Sequence, residues 1–309
     1  MANTTTAPVK INNKLKTPTD DKIFYAIIYV VMALFVAVCA LPLMNILANS
    51  LSSGVEVAAG RVTFWPRDFS VESYIYVFQY RNVVRSFFNS IYITVMGTFL
   101  KSVICMIMAY PMSRADKMPG FKWIMIFILI PNYIGGGTIP TYMNLSNLGL
   151  LDTLWSLFLP SLVPIGSAIT ARVFLTNGIN GELQDAADID GCSDTQFFFR
   201  MVLPLSKVII ATNAMMFVSG YWNSYFNAMI YIRTEEKYPL QLVLKNLLSA
   251  ASKIQMSDYE NPELLAGKLG MNELIKYAFC IIATLPMFFI YPFVQKYLVQ
   301  GTMLGSVKG

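Results

Sequence analysis

No histidine occurs anywhere in the 309 residues, which removes imidazole general bases, imidazole metal ligands and histidine proton relays together. An enzymatic reading loses its commonest acid–base group, and no nucleophile is clustered with another base to replace it. Cysteine is scarce as well. Of the four, Cys39, Cys105 and Cys280 fall inside apolar stretches and Cys192 in a polar linker, with no metal-ligand or redox spacing between any two; they read as small core residues. Charged residues make up only 13% of the chain, and the net +5 comes from bases scattered through loops. Nucleic acids call for basic runs or patches, so no such partner is expected. There is no G-x-x-x-x-G-K-[ST] phosphate loop, and neither a cofactor nor a metal is expected in this chain. Acids are missing from the middle of every long apolar stretch, which counts against proton- or sodium-coupled transport. An ion-coupled secondary carrier or channel subunit is the rival to the reading developed below.

What the chain has instead is apolar length. Hydrophobic residues make up 55% and mean hydropathy is +0.52, too apolar for a soluble globule of this size. A hydrocarbon core of about 30 Å takes roughly 20 apolar residues per helix. Stretches of that kind run over 23–47, 87–113, 121–143, 153–176, 208–232 and 274–299, so the expected fold is an all-α membrane protein with six transmembrane helices in one domain, residues 22–299. Residues 1–21 read as a cytoplasmic tail and not a cleaved signal, because the apolar stretch behind them is too long and lacks a small-residue cleavage site. Residues 300–309 form a second tail.

Basic residues orient the bundle. Lys10, Lys14, Lys16 and Lys22 precede the first span, and Arg114, Lys117 and Lys122 lie in the turn after the second, whereas the turn after the third has none. Short loops rich in Lys and Arg stay inside, so both termini are expected in the cytoplasm of a bacterial plasma membrane. Arg61, Arg67 and Arg81, like Lys237, Lys245 and Lys253, lie in long outer loops, which translocate largely regardless of charge. Pro42, Pro131 with Gly135–Gly137, Pro160, Pro164, Pro286 and Pro292 interrupt the spans. Each proline frees a carbonyl, tolerable where helices pack together or line a cavity.

The linker from Gly178 to Lys207 is the most informative segment. Asn180 can cap a first short helix with Glu182 in its first turn, and Gly191 suits the left-handed position that ends it. Ser193 and Gln196 make an S-x-x-Q capping box for a second helix, expected to stop where Pro204 follows Leu203. The result is an elbow between spans four and five. Five acids, Glu182, Asp185, Asp188, Asp190 and Asp194, occur with no base between Gly181 and Thr195. Leu183, Ala186, Ala187 and Ile189 add a small apolar face. A membrane-surface helix would carry Lys and Arg; an acidic helix with alanines is suited to a groove on another protein.

Asp185-Ala186-Ala187, three residues, Gly191, nine residues, then Met201-x-Leu203-Pro204 resembles the EAA motif of ABC-importer permeases, with Asp185 for the usual glutamate and Met201 for the usual isoleucine. Trp222-Asn223, Tyr238-Pro239-Leu240-Gln241, and the closing Gln295-Lys296-Tyr297 to Gly301 and Gly305 to Gly309 resemble the carbohydrate-uptake branch, similar to the smaller maltose-transporter permease and to polysaccharide and oligosaccharide permeases. The resemblance covers the chain beyond residue 20. It implies a coupling helix in which Glu182, Asp185, Ala186, Ala187, Asp188, Gly191, Leu203 and Pro204 contact an ATPase. It implies as partners a second homologous permease, an ATPase dimer that binds ATP and Mg, and an external solute-binding protein.

Candidate residues for the substrate pathway are Lys101, Ser219, Trp222, Asn223 and Asn227. Lys101 is the one ionisable residue near the middle of a span; it either faces the pathway, pairs with an acid of a partner or snorkels to the surface. Ser219, Asn223 and Asn227 recur every four residues and so share a face if the helix is continuous, with Tyr221, Trp222 and Tyr225 nearby. Amides and aromatic faces suit sugars, but also interhelical hydrogen bonds and an aromatic belt. The loop from Arg233 to Met271 has a helical pattern over Leu240 to Ala251, and by the resemblance touches the binding protein. Lys308 in the tail is a candidate ATPase contact.

Overall fold

The computed structural model describes residues 19–79, 82–115, 118–179, 181–257, 273–292 and 295. The expectations for Lys10, Lys14, Lys16, Arg81, Lys117, Asn180, Lys296, Tyr297, Lys308 and both tails lie outside them, as does the loop that follows Ser257, residues 258–272. Lipid offers no partner to a backbone amide, so a chain this apolar must satisfy its own. Among the described residues the only bridge between extended segments is Ser52 with Phe69; the rest of the regular structure is helical.

The helices, in chain order, are α1 Thr19–Ser50, α2 Gly54–Ala58, α3 Glu72–Gln79, α4 Val83–Ser113, α5 Phe121–Tyr133, α6 Thr138–Asn147, α7 Trp155–Phe158, α8 Ile165–Gly178, α9 Gly181–Ile189, α10 Asp194–Phe197, α11 Leu203–Leu205, α12 Lys207–Trp222, α13 Tyr225–Tyr231, α14 Leu240–Ser257 and α15 Glu273–Pro292. Three of them, α1, α4 and α15, are long and apolar enough to cross a bilayer alone. Three bent pairs also qualify if each is one span, giving up to six crossings among the described residues.

Three of the expected continuous spans are broken. The stretch 121–143 turns by 106° between α5 and α6, where Gly137 sits at φ 78°, ψ −176°, a region closed to residues with a Cβ. The stretch 153–176 bends by 54° at Pro164, which precedes α8 and has no amide to continue the ladder. The stretch 208–232 stops at Trp222 and restarts at Tyr225.

The core is built around α4, which packs against α12 and α8. Its buried face is lined with small groups, Ser86, Ser90, Thr94, Gly97, Cys105 and Ala109, which let neighbouring helices approach closely. The approach is close at Gly97, where a Cβ would fall 2.7 Å from the Tyr221 ring of α12. Lower in the same seam Asn213 donates to Cys105 Sγ at 3.6 Å and to the Ser167 carbonyl at 3.4 Å, tying α12 to α4 and α8 at once. A second cluster joins Val77 of α3 and Val83 of α4 to Trp222, Leu240, Val243, Phe279 and Ile282. By contrast the contacts of α1 with the rest of the described residues gather near its end, with Ala48 in a small buried cluster, Asn45 donating to the Thr63 carbonyl at 2.6 Å and the Ser50–Tyr74 hydroxyl pair at 2.9 Å. Its apolar flank and that of α5, which buries no residue, face outward, as lipid-facing helices do.

Gly97→Val should wedge α4 from α12 at a cost of about 1–3 kcal/mol, read as a lower midpoint of thermal unfolding in detergent. Shortening the opposing ring with Tyr221→Leu should recover part of that loss in the double variant; no recovery would mean that the two residues do not share the seam.

Candidate functional site

The elbow forms largely as its sequence dictates. Gly191 takes φ 70°, the left-handed turn for which glycine pays least strain. Its N–H reaches the Asp188 carbonyl at 3.2 Å, and the Cys192 N–H reaches the Ala187 carbonyl at 2.9 Å, the paired bonds of a Schellman motif. Ala187 and Cys192, which bracket the motif, both pack on the core, as does Leu183 one turn earlier. Ser193 then caps α10: its hydroxyl accepts the Gln196 N–H while Gln196 accepts the Ser193 N–H, both at 3.3 Å. The expected stop at Leu203 is not where the elbow ends. A π-helical stretch, Phe198–Val202, leads into α11, with Pro204 in its first turn. The wider π turn moves the preceding carbonyls away from a proline ring that an α-helix would drive into them. The break comes at Ser206, where the chain bends by 76° into α12.

Leu183 and Ala187, four residues apart, turn α9 toward the bundle. The opposite face carries Asp185, Ala186 and Ile189 outward, Ile189 at 86% exposure. Such a short acidic helix has no packing reason to expose an isoleucine. Glu182 and Asp188 are exposed as well.

Arg114 anchors the elbow to the bundle, a role that charge counting had not suggested. It stands at the end of α4, pairs with the Asp194 carboxylate at the start of α10, and lies over the rings of Tyr110 (4.3 Å) and Phe197 (5.3 Å). Its side chain is only 15% exposed while that of Asp194 is 76% exposed, so the guanidinium is held against the rings and the ion pair itself opens to solvent, where such pairs contribute modestly. Tyr110 and Phe198 add a ring contact at 5.1 Å. Arg172 of α8 fixes the same end of α4 from the other side, donating to the Met112 carbonyl at 2.9 Å and lying 4.7 Å over Phe121.

The candidate pathway residues separate into two places. Lys101 lies on the buried stripe of α4, four residues from both Gly97 and Cys105, and its ammonium stands 5.1 Å from the Phe217 ring and 5.5 Å from that of Tyr221. It turns inward to α12 and does not snorkel to the surface. A cavity of about 160 Å³ opens beside it, lined by Ser161, Tyr221, Ser224 and Asn227 with Leu157 and Phe217. Ser161 and Tyr221 share a hydrogen bond at 3.2 Å. Asn223 and Trp222 line a different, apolar cavity between α12, α14 and α15. The Trp222 indole is buried and donates to the Ala283 carbonyl at 2.8 Å; that is a structural bond. Asn223 turns back on the Ser219 carbonyl at 2.9 Å. The shared face expected for Ser219, Asn223 and Asn227 is broken by the interruption at Asn223 and Ser224. Ser161 and Ser224 were not candidates, because only folding brings α7 against the broken end of α12.

At the other end of the bundle Asp152 holds the loop after α13. Its carboxylate accepts from the Thr234 hydroxyl at 2.5 Å and from the Thr234 and Arg233 amides at 2.9 and 3.0 Å, and Lys237 stands 3.2 Å away. The Thr234 bonds above all hold this carboxyl well below the usual carboxylate range. Asn89 of α4 joins the clasp from below, donating to the Glu236 and Tyr238 carbonyls.

Two outcomes follow. Arg114→Ala should release α10, seen as amide hydrogen exchange over residues 194–202 faster by about tenfold or more, the equivalent of ~1.4 kcal/mol, with the protection of α12 unchanged. A carboxyl held below its unfolded value, about 3.9, contributes stability above that pH and loses it as the pH falls toward the folded value. Asp152→Asn should therefore lower the unfolding midpoint at neutral pH, and the gap from the parent should narrow only below about pH 4.

No family model matches the chain. Individual proteins do. The polygalacturonan/rhamnogalacturonan transport system permease protein YtcP of Bacillus subtilis (strain 168) is 34% identical over 289 residues, 94% of this chain and 99% of its own. Protein LplC of the same strain is 37% identical over 88% of this chain and 90% of its own. One chain of a crystal structure of a bacterial ABC transporter involved in the import of the acidic polysaccharide alginate matches with a TM-score of 0.79 at 29% identity, covering 91% of this chain and 98% of that one. Likeness of this degree over nearly the whole length settles the family: the chain belongs to the membrane permease subunits of bacterial carbohydrate ABC transporters.

Proposed function

We propose that this integral membrane protein forms half of the translocation pathway of a binding-protein-dependent carbohydrate importer, paired with a second, homologous permease. In this reading α9 is the part that the ATPases push. The observation that supports it best is the outward face of α9, where Asp185, Ala186 and Ile189 project from a helix otherwise fastened to the bundle. An apolar tip ringed by acids fits a groove with an apolar floor and basic walls. ATP and its magnesium belong to the ATPase dimer; this chain supplies the lever.

The lever acts on two helices. A push on α9 reaches α12 through the bend at Ser206 and α4 through the Arg114–Asp194 pair. These two helices share the seam that holds Lys101, so a tilt of one against the other alters the cavity at Ser161 and Asn227. Such a change is a two-state switch driven by what the ATPases bind. With both termini cytoplasmic, as the Lys and Arg distribution implies, the elbow lies inside and the Asp152 clasp lies outside. The loop after α13 and helix α14 then face the binding protein, and the tail with Lys308 lies on the ATPase side.

The test uses the assembled importer with its ATPases and binding protein. Ile189→Asp, on the exposed tip, should leave the permease folded in the membrane while ATP-driven uptake falls by about tenfold or more, as expected where an apolar contact buried in an interface is replaced by a charge. Gly191→Pro, which cannot adopt φ 70°, should do the same by straightening the elbow. Uptake that survives both changes, or that persists without any ATPase, would overturn the proposal in favour of an independently working carrier.

A further inference from the structure

We propose that Lys101 and the cavity beside it form a subsite for a carboxylate-bearing sugar, a uronate, along the translocation pathway. The proposal deepens the importer reading, since it rests on this seam lining the pathway.

A lysine in mid-span is costly, by roughly 2.5–3.5 kcal/mol on insertion scales, and is retained where a partner or water compensates it. The described residues hold five side-chain ion pairs, none of which involves Lys101. The lysine instead stands beside two aromatic rings, Phe217 and Tyr221. Cation–π contacts steady an ammonium but leave its charge unneutralised. Gly97, four residues before it, brings Tyr221 close enough for this contact.

The lining reinforces the choice of ligand. Ser161, Tyr221, Ser224 and Asn227 can each donate a hydrogen bond, and none of the lining residues is an acid. Asn227 and the hydroxyls also suit ring hydroxyls, and Tyr221 and Phe217 offer apolar faces. A neutral sugar would need the hydroxyls, the amide and the rings, but not a cation. A carboxylate uses all of them, and a charged partner makes the hydrogen bonds shorter and stronger. The binding is transient by construction, because cation–π contacts hold Lys101 when the sugar has moved on.

Wild type, Lys101→Gln and Lys101→Arg importers, each complete with ATPases and binding protein in proteoliposomes, should be compared with trigalacturonate and with its full methyl ester. The two probes share a shape and differ in charge, and the binding protein is common to all arms. Wild type is expected to carry the acid, Lys101→Gln to carry it more slowly by about tenfold or more with ester uptake nearly unchanged, and Lys101→Arg to keep most acid uptake. Equal losses for both probes would overturn the proposal and assign Lys101 to an acid of the second permease or to the fold. No loss for either, or a wild type that carries only the ester, would overturn it as well. ATP-driven uptake of the ester by wild type would leave the importer reading standing in those cases.

Discussion

Two helices in lipid can close on each other only where side chains leave room, and the rest of this molecule is arranged around one such place. Gly97 of α4 leaves that room against the ring of Tyr221, and the small buried residues above and below it extend the contact along α4. No hydrophobic drive holds helices together when the surroundings are as apolar as they are. Packing and a few hydrogen bonds must do so, and Asn213 supplies two of them in one side chain. Because the seam is this close, it also presses an ammonium against aromatic rings that would otherwise be core.

The same seam is gripped at both ends by polar contacts of different kinds. On the elbow side, the guanidinium of Arg114 is tucked against two aromatic rings and meets the solvent-facing Asp194 carboxylate, so the rings steady the cation and the ion pair adds modestly. On the other side, Asp152 gathers several donors from the loop after α13, and Asn89 and Ser90 of α4 receive that loop. The long helix α4 thus reports to both faces of the membrane. Helices α1 and α5, attached less firmly, leave their apolar flanks to lipid or to the second permease of the proposed importer.

The breaks in the helices decide which residues can act together. A continuous span through 208–232 would set Asn223 beside Asn227, but the interruption after Trp222 sends Asn223 toward α15 and leaves Asn227 with Lys101. Proline and glycine in these stretches were visible as interruptions, and the turns occur at Gly137, where glycine's φ freedom admits one, and beside Pro164, whose missing amide ends the ladder. The third break has no proline or glycine in it. It lies at Asn223 and Ser224, where side-chain and backbone polar groups compete with the helix ladder, and periodicity alone did not reveal it.

What the sequence by itself determined is whatever closes over a few residues or follows from composition. Apolar length made the chain a helical membrane protein because lipid leaves backbone groups no other choice. Gly191, Ser193 and Gln196 shaped the elbow because a left-handed turn and a capping box are completed within about five residues, and the motif around them indicated the family that the relatives establish. The tertiary structure alone decided that Arg114 would meet Asp194, that Trp222 would spend its indole N–H on Ala283, and that Lys101 would turn to Phe217 and Tyr221 instead of to the membrane surface. In each case the partners are far apart in the chain, and a charge or a donor in an apolar medium takes whichever partner packing brings within reach, which no local pattern encodes.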